Sequence, residues 1–118
     1  MNPEVDDIGS VLAALADPTR RHVLEALADE GQASASRLAS RLPVSRQAVV
    51  KHLHLLEDAG LVSSGRSGRE VLFHVETDSL EASARWMADL AATWDRRLNT
   101  LKRAAERSAA TDDRQRDM

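Results

Sequence analysis

A proline between two short helical patterns is the feature that most limits the folds open to this chain. The first pattern ends at Leu42, and Pro43-Val44 leaves little room for a connection before Ser45, a residue suited to capping the next helix. The second pattern continues until Ala59-Gly60, which favours a left-handed helix end. Helices joined this tightly form a helix-turn-helix, which we predict at about residues 34–59. Ser34 and Ser36 are alternative caps for its first helix.

Two further helical patterns precede this unit. Apolar spacing predicts a helix from Asp6 to Ala16, and Asp17-Pro18 has the order of a cap and a first-turn proline for the next helix. After the helix-turn-helix, Leu61-Val62 and Val71–Val75 resemble short strands around a Gly/Ser turn. That hairpin is a candidate wing.

The boundaries follow from these elements. We predict a wing at residues 61–76, a long last helix at about 79–107, and a disordered tail at 108–118, where apolar periodicity stops. The fold class is therefore mainly α with a small β-hairpin. The expected architecture is a winged helix-turn-helix of about five helices and a two-stranded wing, forming one domain of residues 1–107.

Charge is unevenly distributed along the chain. The formal net charge is −3. Residues 1–33 carry two Arg against seven Asp and Glu, whereas residues 34–74 carry six Lys and Arg against three acids. A basic middle between acidic flanks is typical of a surface for a polyanion, although an ordinary solvated surface is the alternative.

The helix that begins at Arg46 has the features of a recognition helix. Its first two turns carry no acid, and its polar residues lie opposite the face of Val49, Leu53 and Leu56. Amide and guanidinium groups at such positions can read bases in the major groove, while arginines beside the hairpin turn suit the DNA backbone or the minor groove. The predicted DNA contacts are Ser45, Arg46, Gln47, Val50, Lys51, His54, Arg66 and Arg69.

Several ordered motifs resemble the ArsR family of bacterial winged-helix repressors. The stretch Leu15–Leu24 is similar to the opening motif of the family, Leu42–Leu53 and Leu56–Val62 to its recognition helix and first wing strand, and Gly68–Phe73 to its second wing strand. The resemblance covers about residues 8–105. It implies a transcriptional regulator, expected to be a repressor, that binds an inverted-repeat operator in double-stranded DNA as a homodimer.

The last helix carries an apolar seam. Large apolar residues recur every seven positions and are interleaved at the companion spacing, the pattern of a helix pair. A chain of 118 residues can hardly cover a helix of this length, so a second copy is the expected partner, with an intramolecular core helix as the alternative. The predicted dimer interface is Ile8, Leu12, Leu80, Met87, Trp94, Leu98 and Leu101.

Other classes of function find no support. The sequence has no cysteine, no nucleophile–base set, no Gly-rich phosphate loop and no metal-ligand spacing, so we expect no enzyme, no cofactor and no metal. Relatives that sense metals use cysteines near the third helix or clusters of His, Asp and Glu on the last helix; here residues 34–39 have no cysteine and the last helix has no histidine. The sequence does not reveal whether a small-molecule effector exists.

The sequence also bears on the location of the protein in the cell and on one alternative function. No apolar run approaches the roughly 20 residues of a membrane span, and the acidic N-terminus lacks the features of a signal peptide. We therefore expect a cytoplasmic protein without a membrane partner. The alternative to a repressor is a winged-helix protein-interaction module that no longer binds DNA.

Overall fold

The fold consists of five helices and one hairpin. The computed structural model describes residues 3–116, with side chains described over residues 8–111. The helices are α1 (Pro3–Leu15), α2 (Pro18–Glu30), α3 (Ala35–Arg41), α4 (Arg46–Asp58) and α5 (Asp78–Arg116), and the strands are β1 (Val62–Ser67) and β2 (Glu70–Val75). The predicted class, five helices with a two-stranded wing, is confirmed. The chain divides into two compact units, with the boundary between Ser83 and Ala84 in the sequence of α5.

Side-chain caps determine where the helices of the helix-turn-helix begin. The Ser34 hydroxyl accepts a hydrogen bond from the amide of Arg37, and the Ser45 hydroxyl accepts one from the amide of Ala48, at 3.1 Å in each case. Each satisfies one amide that the helix itself leaves without a partner. Ser34, rather than Ser36, is therefore the cap of α3.

The first unit has an aliphatic core. Leu27, Leu38, Leu53, Leu56 and Leu61 are fully buried, so α2, α3, α4 and the start of the wing share one apolar centre. Burying a side chain of this size contributes about 1.5–3 kcal/mol to the free energy of folding. The buried leucines of α4 therefore fix the position of this helix, with its polar face exposed.

The wing is attached to the helix-turn-helix by backbone hydrogen bonds. Ala33, in the loop before α3, donates its amide to the carbonyl of Phe73 and accepts from the amide of Phe73, at 3.1 and 2.8 Å. The strands pair from Val62–Val75 to Ser67–Glu70. β1 is thus longer than the predicted Leu61-Val62. Its outer half is polar and shows no apolar pattern, but it pairs with β2 through the backbone.

The last helix continues past its predicted end. α5 extends to Arg116, so residues 108–116 are helical where a disordered tail was predicted, while residues 117–118 lie outside the described part. The helix contains no Gly or Pro and is rich in Ala and Arg, which favour helix. Missing apolar periodicity indicates that no face is buried, and it does not by itself end a helix.

Candidate nucleic-acid interface

The exposed side of α4 carries half of the predicted DNA contacts. Arg46, Gln47, Lys51 and His54 are exposed, and none of the described acids forms an ion pair with them. The acids of this helix are confined to its last turn. Their absence from the early turns leaves a positive, hydrogen-bonding surface at the helix N-terminus, which also has a positive partial charge.

Two of the predicted contacts have structural roles as well. The Ser45 hydroxyl is engaged in capping α4. Val50 is half-buried and packs against the core of the first unit. The side chain of Val50 therefore contributes to folding whether or not it also touches a base.

An open cleft of about 320 Å³ lies between α4 and the wing. Its floor is apolar and includes Ala35 and Phe73, and its rim carries basic and hydroxyl groups. Four of the predicted DNA contacts line this cleft together: Arg46, Val50, His54 and Arg69. One acid, Glu70, also lines it.

A hydrogen bond connects the two helices of the helix-turn-helix at the mouth of this cleft. The Nε atom of Arg46 donates to the hydroxyl of Ser36 at 2.9 Å. The sequence indicated Ser36 only as a possible cap, because its partner lies on the next helix. The spacing of ten residues carries no periodic signal that would have revealed the contact.

The basic region is smaller than the charge count suggests. Arg37 lies 3.1 Å from a carboxylate oxygen of Glu30, and Arg41 lies 3.1 Å from the same oxygen and 3.5 Å from Asp29. Arg41 also donates to the carbonyl of Ala26 at 3.2 Å, near the end of α2. These two arginines join α3 to α2, so the cations without a described acidic partner in this region are on α4 and the wing.

The hairpin holds its two predicted arginines in different settings. Arg66 lies within β1 opposite Val71, and Arg69 lies in the two-residue turn beside Gly68. Gly68 has φ of 64°, and no other turn residue has positive φ, as in a type II′ turn. Both arginines are exposed, but only Arg69 lies at the tip that was expected to carry both.

The base of the wing carries a polar cluster that the sequence did not predict. Ser63 donates to Glu76, and the Nε2 atom of His74 lies 3.0 Å from the same carboxylate oxygen and 2.8 Å from the Ser63 hydroxyl. The hydrogen bond from Ser63, followed by that from His74, lowers the pKa of the Glu76 carboxyl below its usual value. The cluster joins the ends of both strands.

A second unpredicted network lies at the junction of α1 and α2. Arg20 and Arg21 donate to carbonyls at the end of α1, Arg20 to Ala14 at 3.2 Å and Arg21 to Leu15 at 2.6 Å. They satisfy carbonyls that a helix end leaves without partners. Arg20 also lies 4.0 Å from the carboxylate of Asp17. These two hydrogen bonds and the Arg20–Asp17 ion pair therefore join the start of α2 to the end of α1.

The predicted dimer residues fall into two groups. Ile8 is only 8% exposed, and Leu80 packs against the core of the first unit, so both are used largely within their own chain. The other five are exposed. Four of them lie between Ala84 and Thr111, where every described side chain is exposed, and the fifth is a leucine of α1. The exposed members are Leu12, Met87, Trp94, Leu98 and Leu101, joined by Trp86 and Leu90.

Among the described residues, no three His, Asp or Glu side chains come together in a way that could hold a metal ion. In the same part of the chain, no helix is long and apolar enough to cross a membrane.

A helix-turn-helix followed by a hairpin attached to it defines the winged helix-turn-helix class. A helix-turn-helix domain family matches residues 15–64. The transcriptional repressor SdpR of Bacillus subtilis is 31% identical over 80 residues, which cover 68% of this chain and 88% of that protein. The chain belongs to the ArsR/SmtB family of winged helix-turn-helix transcriptional regulators.

Solved structures agree with this assignment. The ArsR-like transcriptional regulator from Rhodococcus sp. RHA1 is 44% identical, covers 86% of this chain and 94% of its own, and has a TM-score of 0.78. The homodimeric winged helix-turn-helix DNA-binding domain Mb0332 from Mycobacterium bovis, a possible ArsR-family regulator, is 26% identical. It covers 80% of this chain and 83% of its own, with a TM-score of 0.58.

Proposed function

We propose that this protein is a transcriptional repressor that binds an inverted-repeat operator as a homodimer. In this proposal α4 enters the major groove and the hairpin contacts the adjacent backbone. A bacterial repressor acts on the chromosome, so the proposal also places the protein in the cytoplasm.

One observation carries the proposal. Within residues 34–74, the lysine and arginines without a described acidic partner lie on α4 and the hairpin, while Arg37 and Arg41 of the neighbouring helix are paired with acids. Arg46 and Gln47 lie in the first turn of α4, the part of a recognition helix that reaches base edges.

The exposed seam of α5 supports the dimer. Trp94 is 55% exposed and Leu101 is 66% exposed in the single chain, and they belong to a seven-residue repeat with Met87. Large apolar side chains in a continuous row mark an interaction surface. A second copy of the same helix offers a complementary row, which is the geometry of a paired-helix interface.

The DNA proposal is tested with duplexes selected by the wild-type protein from a random-sequence pool. We expect an inverted repeat to be enriched, with an affinity of about 10⁻⁸ M or tighter and a steep loss of binding with added salt. Arg46→Ala or Gln47→Ala should cost about 1–3 kcal/mol and relax the choice of base, whereas Lys51→Ala should weaken all duplexes similarly.

Arg37→Ala is the matched control. It removes the same charge as Arg46→Ala, but from an arginine already paired with Glu30. It should therefore change DNA affinity much less. Weak binding to every duplex, unaffected by changes on α4, would contradict the proposal and favour a protein-interaction module.

A further inference from the structure

Two serines near the start of α3 have different tasks. Ser34 caps the helix, and Ser36, two residues later, is exposed and accepts a hydrogen bond from Arg46 across the turn. The capping function is therefore complete without Ser36. Its hydroxyl is instead directed at a residue that we propose as a DNA contact.

The bond uses only one part of the Arg46 guanidinium. Nε donates to Ser36 at 2.9 Å, and among the described residues the two terminal nitrogens have no hydrogen-bond or salt-bridge partner. An arginine reads guanine or grips a phosphate through a planar pair of donors. A bond at Nε fixes the orientation of that plane and leaves the terminal nitrogens available.

Both residues line the cleft between α4 and the wing, together with Arg69. The guanidinium is thus held at the surface that would face the DNA and not folded back onto an acid. Arg37 and Arg41, in contrast, are held by carboxylates that occupy their donors. Ser36 is a neutral acceptor, so it orients Arg46 without cancelling its charge.

We propose that Ser36 is a positioning residue for DNA recognition, which holds the Arg46 guanidinium in a reading orientation before DNA arrives. The inference rests on the proposed function. Its physical basis is preorganisation, because a long arginine side chain loses rotamer entropy when it is ordered on binding. The bond to Ser36 imposes part of that order in the free protein.

The test is a set of variants assayed on the duplex that the wild-type protein enriches from a random pool. Ser36→Ala should weaken binding by about 3- to 10-fold, the effect of one hydrogen bond, and should relax the preference at the base pair that Arg46→Ala also relaxes. Ser36→Thr keeps the hydroxyl and should retain both the affinity and the base preference of the wild-type protein. Ser40→Ala is the matched control, because the Ser40 hydroxyl bonds only to the Arg37 carbonyl within α3.

The decisive measurement is the effect of Ser36→Ala in an Arg46→Ala background. With Arg46 absent, removal of the Ser36 hydroxyl should cause no further loss of affinity. A further loss would show that Ser36 acts independently, through its own phosphate contact or the stability of α3, and would overturn the inference. So would a Ser36→Ala protein that behaves like Ser40→Ala. A wild-type protein that enriches no duplex would instead refute the proposed function itself.

Discussion

The imidazole of His52 contacts the carboxylate of Asp17, with 3.7 Å between Nδ1 and Oδ2. His52 lies on the buried side of α4, and Asp17 begins α2, where its carboxylate also lies near Arg20. The side chains of His52 and Arg20 are each only 17% exposed. The carboxylate of Asp17 therefore connects the junction of α1 and α2 to α4, the helix that we propose enters the major groove.

Asp17→Asn should destabilise the fold by about 1 kcal/mol, because the charge near Arg20, His52 and the α2 N-terminus disappears while the side-chain shape is kept. Urea unfolding measures the change. Asp29→Asn is the matched control: Asp29 is 73% exposed and lies in the last turn of α2, where a negative charge is unfavourable. Equal losses in the two variants would argue against a structural role for the Asp17 contacts.

Trp94→Ala should shift the protein from dimer to monomer. Removing a buried aromatic side chain costs about 3–5 kcal/mol in a core, and a two-fold interface loses it from each copy. Size-exclusion chromatography with light scattering reports the mass. Thr93→Ala, one residue away and off the seam, should leave the dimer intact. A wild-type protein with the chain mass of 12.9 kDa at micromolar concentration would refute the dimer.

Gly68→Ala should weaken the wing by about 1 kcal/mol, because an L side chain is strained at positive φ. Gly65→Ala is the matched control in the same hairpin, since Gly65 lies in β1 with ordinary φ and open space around it. That change should be neutral or slightly stabilising. Hydrogen exchange of the wing amides distinguishes the two. Equal protection in both variants would contradict the assigned turn.

Ser63→Ala should raise the pKa of Glu76 toward its usual value, because the hydrogen bond from Ser63 is the largest cause of the lowering. A lowered pKa in the folded state stabilises the protein above the unfolded value of about 4.5, and that stability is lost as pH falls through the folded pKa. The acid-induced loss of stability due to Glu76 should therefore be smaller in the variant. Carboxyl NMR titration follows the change, and an unmoved pKa would contradict the assignment.

Local signals in the sequence were sufficient for the helix-turn-helix. Ser45 and Pro43 lie beside the helix ends that they determine, so capping and proline rules locate the turn directly. The resemblance to the ArsR family, confirmed by the comparisons, rested partly on the same stretch and partly on motifs before and after it. Short-range chemistry of this kind can be read without a structure.

Contacts between distant elements were not readable in the same way. The pairing of Arg41 with Asp29 depends on how α2 packs against α3, so a charge count along the chain overstated the free positive charge. Ile8 and Leu80 fit the apolar spacing of the first and last helices, yet they are largely used within their own chain. Apolar periodicity identifies a face and does not specify which partner covers it.

The backbone pair between Ala33 and Phe73 affects how an operator is chosen. Moving the hairpin away from the loop before α3 would break two backbone hydrogen bonds and expose Phe73, which is only 5% exposed. This attachment limits how far the base of the hairpin can move from the helix-turn-helix, so we expect a bound duplex to adapt to the spacing of the two elements. Sequences that bend and narrow easily need less deformation energy, so we expect base pairs that no side chain touches to influence operator strength through their flexibility.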